Sequence, residues 1–456
     1  MKNVTSTGTD LSIEAVSMKD GSTRRFIFNN LLNTITDEQG NYLREPMRSA
    51  VEMQSFGVDE PLHKVNKVKT LKISLGLSCN FECSYCSQRF VPRSNETSQK
   101  DIDDFLDKLL PNIKGVPQKV EFWGGEPFVY WKTFKPLAER LRFCWPNTRF
   151  SVITNGSLLD DEKIEWLDKL NFSVAISHDG PGQGVRGPDP LQDPDTAAAT
   201  RKLYGRLAPQ GRISFNGMLN SQNLSRKAMQ DFFIEFTGDP NVNIGEGSLI
   251  TPYDDGGIAS SVADESGVNF RKLAFNEVRN GEDRNFFITR SRMQSWLSRF
   301  EQQSADSLKT ACGVTQEDNL TVDLKGNVLT CQNVSAVSVS PNAQSHQGGS
   351  VEKLSEVEIK TMTYWHERTA CRKCPVVSEC RGTCPFIEGE LRWVGCDNAF
   401  NDQIAHFAAA FEIFTGFIPT RIRPLDESVS YPEYRASLWD YKAKPEQRKT
   451  IPIKPA

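Results

Sequence analysis

Histidine is scarce in this sequence, with five among 456 residues, so mixed Cys/His zinc sites are starved of nitrogen ligands. Charge of one sign is not in excess either. The formal net charge of −4 gives neither nucleic acid nor an anionic membrane a reason to be a partner. Long hydrophobic runs are missing. The opening stretch MKNVTSTGTD has no apolar core of the kind a secretory signal needs. The most apolar late stretch, His406 to Ile418, is interrupted by Glu412 and is too short to span a bilayer. There are no internal repeats and no low-complexity tract. The expectation is a soluble, non-exported, cytoplasmic protein, long enough for two or three domains.

Cysteine is the exception to this plainness. There are eleven, most of them grouped at short spacings. Without an export signal, and with a large core within reach, disulfides are not the expected use. Grouped reduced thiols in an intracellular chain read as metal ligands, and their softness selects iron–sulfur or zinc.

From Leu71 to Leu249 the sequence alternates two kinds of segment. Leu71–Leu77, Lys119–Trp123, Arg149–Thr154, Phe172–Ser177, Arg212–Leu219 and Val242–Leu249 are short and apolar or β-branched, as buried parallel strands are. Between them lie amphipathic runs: one from Ser98, with Asp101 as a capping-box partner, then Thr133–Cys144, Asp160–Leu170, Thr196–Leu207 and Ser225–Phe236. Six such units in series predict an α/β fold with a parallel sheet and right-handed crossovers, closed or partly closed into a barrel. Helices over Asn269–Arg279 and Thr289–Gln302 lead to a cysteine-rich region, Cys312 to Cys396. The residues before the barrel read as a hairpin and polar loops. Arg421 to Ala456, Pro-rich and charged, reads as an extended arm or disordered tail.

Directly after the first strand comes Cys79-Asn-Phe-Glu-Cys83-Ser-Tyr-Cys86. Three thiolates within eight residues can wrap one corner of a cubane cluster and leave its fourth iron open to a small molecule. A structural zinc knuckle is the plainer reading of that spacing alone. The context argues against it. In barrels of parallel strands, active sites form on the loops that follow the strands. Gly124-Gly125-Glu126-Pro127 follows the second strand, Thr154-Asn155-Gly156 the third, and Ser177-His178-Asp179-Gly180-Pro181 the fourth.

This C-x3-C-x2-C pattern, with the loops around it, resembles the radical S-adenosylmethionine (SAM) superfamily. The resemblance implies a [4Fe–4S] cluster on Cys79, Cys83 and Cys86, with SAM chelating the open iron and cleaved to a 5′-deoxyadenosyl radical. It implies that Tyr85 lies against the adenine and that Gly124, Gly125, Glu126 and Pro127 form the loop whose carboxylate meets the SAM ammonium. Ser177 is the counterpart of a contact to ribose or carboxylate, and Arg186 can pair with the carboxylate. Asn155 is either a ligand contact or a turn-former.

The later cysteines run Cys312, thirteen residues, Gly326, four residues, Cys331, then Cys371-x2-Cys374-x5-Cys380-x3-Cys384 and Cys396. This resembles, cysteine for cysteine, the SPASM extension that carries two auxiliary [4Fe–4S] clusters. Ligation as in that family puts Cys371, Cys374, Cys380 and Cys396 on an outer cluster and Cys312, Cys331 and Cys384 on an inner one. The inner cluster then has a non-cysteine fourth ligand or an open site. Cys144, the remaining thiol, continues an apolar helical face with Leu137 and Leu141 and reads as core.

The fold so implied is a partial (β/α)6 TIM-like barrel (70–305) with an N-terminal hairpin and extension (1–69), a SPASM domain (306–400), and a C-terminal helix and tail (401–456). The implied reaction is hydrogen abstraction from a peptide or protein substrate, ending in an oxidative change such as a cross-link, with a flavodoxin or ferredoxin as low-potential reductant. Alternatives are a small-metabolite substrate, anaerobic sulfatase maturation, and a non-enzymatic electron-transfer protein. In sulfatase-maturing relatives an aspartate base adjoins the Gly-x4-Cys cysteine. Here that neighbour is Gln332, which cannot take a proton. The hairpin Ile13–Ile35 could pair with a peptide strand.

Overall fold

Short apolar strands alternating with amphipathic helices can bury both faces of a sheet only by crossing over it in parallel. The computed structural model, which describes residues 2–93, 97–262, 267–301, 307–308, 312–340, 343–360 and 364–439, has that arrangement. The strands Thr70–Ser74, Lys119–Trp123, Arg149–Thr154, Phe172–Ser177 and Ile213–Asn216 lie side by side in chain order, each parallel to the next. The register sets Leu71 opposite Val120, Val120 opposite Phe150, and Val174 opposite both Val152 and Ile213. Helices Ile102–Leu109, Trp131–Cys144, Asp161–Lys169, Pro194–Leu207 and Arg226–Thr237 connect them.

The helix starts follow from local chemistry. Asp160, Asp193 and Ser225 each accept a hydrogen bond from the backbone N–H three residues on, satisfying donors that the helix itself leaves free. Ser98 N–H donates to the Asp101 carboxylate at 2.6 Å, as the capping-box reading requires. Between sheet and helices lies an aromatic nest. Phe122 meets Phe134 with centroids 4.8 Å apart, and Phe134 meets Trp166 at 5.1 Å.

The sixth expected strand is only partly formed. Val242–Leu249 joins the sheet through single parallel bridges, Ile244 to Phe215 and Leu249 to Leu219, and regular pairing in the fifth is confined to Ile213–Asn216. Gly245 and Gly247, the latter at φ +121°, interrupt the ladder between those bridges. At its other edge the sheet continues. Asn319–Asp323 lies parallel to Thr70–Ser74, and Asn327–Leu329 and Gln347–Ser350 follow antiparallel. Cys331 therefore stands on a loop leaving the same eight-stranded sheet.

The expected hairpin is present as Asp10–Ser17 and Thr23–Asn29, with Ile35–Asp37 beyond. Its long outer edge is covered. Phe417–Pro424, whose second half lies in the region read as an arm or tail, forms a strand antiparallel to Asp10–Ser17, so this strand and the three-residue Ile35–Asp37 are the two edges of the sheet. Residues 440–456 of that expected tail lie outside the described residues. Cys144 is a second correction. It is exposed although it follows Leu137 and Leu141 at helical spacing, since it is the last residue of its helix. Among the described residues no helix is long and apolar enough to cross a membrane.

The 27-residue helix Gly389–Thr415 packs Phe407 on Trp296 and Phe28 and sets Asp402 inside the molecule. There Asp402 accepts from Arg226 and, at 2.6 Å, from Arg292. Burial alone would raise this carboxyl, and the two guanidiniums outweigh it, holding it well below the usual range. Removing one member strands buried charge. Asp402→Ala should therefore lower unfolding stability by roughly 3 kcal/mol in denaturant titrations, and a loss under about 1 kcal/mol would contradict the clamp. Because the folded value is depressed, the stabilisation is complete above the ordinary aspartate range and fades as pH falls through the folded value.

Candidate functional site

The carboxyl ends of the parallel strands carry the expected loops to one rim. Cys79, Cys83 and Cys86 border a cavity of about 390 Å³ whose wall also includes Tyr85, Gly124, Gly125, Glu126, Asn155, Ser177 and Arg186. Pro127 is buried just behind, at the start of the short helix Pro127–Tyr130. All but one of the residues singled out around the first cysteine cluster thus face one void.

Two features hold the cysteine loop against its neighbours. Gly125 N–H donates to Gly76 O, and Glu126 N–H to Ser78 O, both at 3.0 Å. A Cβ at Gly125 would stand 2.4 Å from Ser78 O, so only glycine permits this approach. Glu126 then ties in the third loop. Its carboxylate accepts from Phe128 N–H, from the Thr154 hydroxyl at 2.8 Å and from Asn155 N–H at 2.7 Å. Burial raises this carboxyl, and the three donors pull the other way. With about four lone-pair sites on a carboxylate, these bonds leave little more than one acceptor site for a ligand. Asn155 is a turn-former here, its Oδ1 accepting from Ser157 N–H at 3.0 Å, and it also braces the cysteine loop by donating to Asn80 Oδ1 at 2.9 Å.

On the opposite wall Arg186 Nη1 donates to Tyr85 Oη at 2.9 Å, and Tyr85 Oη donates to Asp179 Oδ2 at 2.7 Å. Burial opposes the Arg186 charge, but the tyrosine oxygen and Asp179 raise its pKa on balance. Its Nε is buried without a partner among the described residues, a donor left for an acceptor that enters the cavity. Asp179 was not anticipated; it sits in the expected fourth loop and serves as the anchor for both neighbours. Its companion His178 points into the core, bonded to Asp189 at 2.9 Å and stacked on Phe232.

The thiols fall into three groups of near neighbours. The first is Cys79, Cys83 and Cys86. Cys312, Cys331 and Cys384 form the second. Cys371, Cys374, Cys380 and Cys396 form the third. Backbone N–H groups of Phe81, Gln88 and Asn333 point at Cys79, Cys86 and Cys331 sulfurs at 3.4 Å, and Arg435 donates to Cys396 at 3.3 Å. Burial pushes Cys83 up to about 11 and Cys371 and Cys384 up to about 12, so metal binding there must displace protons. Among the described residues no three His, Cys, Asp or Glu side chains converge closely enough to hold a single metal ion. The first two groups border voids instead. The second void, about 510 Å³, is lined by Cys312, Cys331 and Cys384 and shares Met218, Thr251, Tyr253 and Asn333 with the first. Those four shared residues carry no sequence signal beyond their place near strand ends.

Residues 73–197 match the family model of the radical SAM superfamily. The chain carries a radical SAM domain. That makes it an enzyme whose family uses a [4Fe–4S] cluster and SAM, and the three thiols, the glycine-tight loop and the unpartnered Arg186 Nε suit such a pair. The chain is 23% identical over 354 residues to the serine-type anaerobic sulfatase-maturating enzyme of Bacteroides thetaiotaomicron, covering 68% of this chain and 81% of that one. It is 24% identical over 141 residues to the radical SAM cyclopropyl synthase TigE of Paramaledivibacter caminithermalis, covering 26% of this chain and only 29% of the synthase. Among solved structures it is similar to native anSMEcpe with bound AdoMet and Kp18Cys peptide, at TM-score 0.52 and 18% identity over 76% of this chain and 98% of that one, a likeness of fold.

The glycine contact generates a direct test. Gly125→Ala should push the second loop off Ser78 and weaken SAM binding to the reconstituted protein by at least about 10-fold, a loss of about 1.4 kcal/mol. Equilibrium dialysis with labelled SAM measures it, and unchanged affinity would contradict the role of that contact.

Proposed function

We propose that the chain is a SPASM-type radical SAM enzyme that cleaves SAM reductively and takes a hydrogen atom from a peptide or protein residue, leaving an oxidative modification such as a cross-link. In this reading Cys79, Cys83 and Cys86 hold the SAM-binding cluster. Cys312, Cys331 and Cys384 hold one auxiliary [4Fe–4S] cluster, and Cys371, Cys374, Cys380 and Cys396 the other. The SAM-binding cluster supplies the electron that breaks the sulfonium bond. The chain's own part is placement. Gly124 and Gly125 let backbone approach the ligand, Glu126 fixes the loop and offers its remaining acceptor site, and Arg186 offers Nε to a carboxylate. Ser177 and Tyr85 line the wall where the nucleoside would lie.

The single observation that carries the reading is the common wall of Met218, Thr251, Tyr253 and Asn333 between the two cavities. A substrate in the larger cavity would meet SAM across that wall and the second thiol group on its other side. The solved neighbour with AdoMet and a bound peptide supports a peptide here. A flavodoxin or ferredoxin would deliver the first electron, and the cytoplasm would keep eleven thiols reduced. Sulfatase maturation is the second reading, favoured by the 354-residue similarity. Against it stands Gln332, whose side-chain oxygen accepts from Lys72 at 3.3 Å in the place of a base.

Anaerobically reconstituted protein given dithionite, SAM and a candidate precursor peptide should yield 5′-deoxyadenosine and a peptide mass change. Cys83→Ala should abolish both. Cys380→Ala should spare SAM cleavage far more than peptide modification, and equal loss of the two would contradict separate roles for the thiol groups.

A further inference from the structure

The larger cavity holds one acid that nothing so far employs. Glu246 lies in the irregular sixth strand between its two bridges, just past the level where the fifth strand's regular pairing ends, and borders the 510 Å³ void. Its neighbours aim it. Gly245 N–H is held by Phe215 O at 2.6 Å, and a Cβ at Gly245 would overlap Asn216 Oδ1 at 2.0 Å. Gly247 has φ +121°, and a Cβ there would stand 2.4 Å from the Phe286 ring. A glutamate between two glycines that admit no side chain is a built feature of the backbone, since an ordinary strand would carry larger residues at both positions.

The other groups around the cavity are committed. Asp402, its second carboxylate, is held by Arg226 and Arg292. Arg292 also donates to Ser248 at 3.1 Å. Lys64 donates to Val314 O and Gln316 O and is pulled by burial down to about 8, while Lys72 bonds Gln332. Tyr253 and the thiols Cys312, Cys331, Cys380 and Cys384 complete the titratable set, and burial raises Tyr253 well above its ordinary value. Glu246 has no hydrogen bond or ion pair to the described residues. Glu246 is exposed to the void and solvent; partial desolvation by the cavity wall raises its carboxyl, and the nearby Arg292 draws it part of the way back.

We propose that Glu246 is the proton acceptor for the substrate in the larger cavity, the part that Gln332 cannot play. The substrate class is a peptide residue whose reacting carbon bears an O–H, S–H or N–H neighbour. The balance is simple. The substrate gives one hydrogen atom to the 5′-deoxyadenosyl radical, one proton to Glu246, and one electron to an auxiliary iron–sulfur cluster, so it ends two hydrogens poorer. A base takes part only in the proton transfer, and removal of such a group costs about 10²–10⁴-fold in rate.

The proposal rests on the peptide-radical reading above, and its test separates the two. The full chain, reconstituted with iron and sulfide, is given SAM, dithionite and a pooled synthetic peptide library deuterated at Cα and Cβ. Wild type should move deuterium into 5′-deoxyadenosine and yield peptides lighter by the two lost hydrogens. Glu246→Gln, with unchanged iron content, should still move deuterium within about 3-fold while forming at least about 100-fold less product, and Glu246→Asp should recover part of it. Equal product from Glu246→Gln, or a change confined to peptide KM, overturns the assignment and leaves the radical reading intact. Absence of deuterium transfer by wild type overturns both.

Discussion

Parallel strands deliver their loops to a common rim, but adjacency alone does not fix where the side chains on those loops point. That is the work of the buried Glu126 carboxylate and the glycine contact beside it. Gly125 touches the Ser78 carbonyl that leads into the cysteine loop, and Glu126 gathers donors from its own turn and from the third loop. A carboxylate this deeply buried is tolerable only while its donors stay in place. The bracket is therefore cooperative: the geometry of Cys79, Cys83 and Cys86 depends on hydrogen bonds made one and two strands away.

The same logic governs the far side of the larger cavity. The helix Gly389–Thr415 brings Cys396 and Asp402 toward the sheet, and Asp402 fixes Arg226 from the fifth crossover helix and Arg292 from the helix Phe287–Phe300. Cys396 on this helix comes near Cys371 and Cys380, which lie on the short helices Thr369–Arg372 and Val377–Cys380, and the charged clamp with the Phe407 aromatic contacts holds the long helix in place. Raised thiol pKa values in this region mean that cluster assembly must release protons into a site already crowded with cations, and Arg435 beside Cys396 is placed to hold thiolate charge.

Much of the fold was legible because periodicity reports local burial. Lys119–Trp123, Arg149–Thr154 and Phe172–Ser177 form over the residues expected, since apolar side chains alternate through each. Long-range pairing left no such trace. Phe417–Pro424 looks like a polar arm until Asp10–Ser17 is laid beside it, and Val242–Leu249 looks like an unbroken strand until its two glycines are met in space. Cys144 shows the limit of helical extrapolation: it keeps the spacing of Leu137 and Leu141 but stands at the helix end and is exposed. At the site, motif residues were visible because close backbone approach and thiol ligation demand rare residue types. Asp179, Tyr253 and Glu246 were not, because their roles come from which void they face, and no spacing in the chain encodes that.

The central claim is that the three thiols at the sheet's rim hold an iron–sulfur cluster with one iron free for SAM. Electron paramagnetic resonance of the reduced, anaerobically prepared protein tests it most directly, with Cys371, Cys374 and Cys380 replaced by alanine so that the rim signal is less overlapped. The account predicts a cluster signal whose g values and relaxation change when SAM is added. A signal indifferent to SAM, or protein that takes up zinc in place of iron and sulfide, would contradict it.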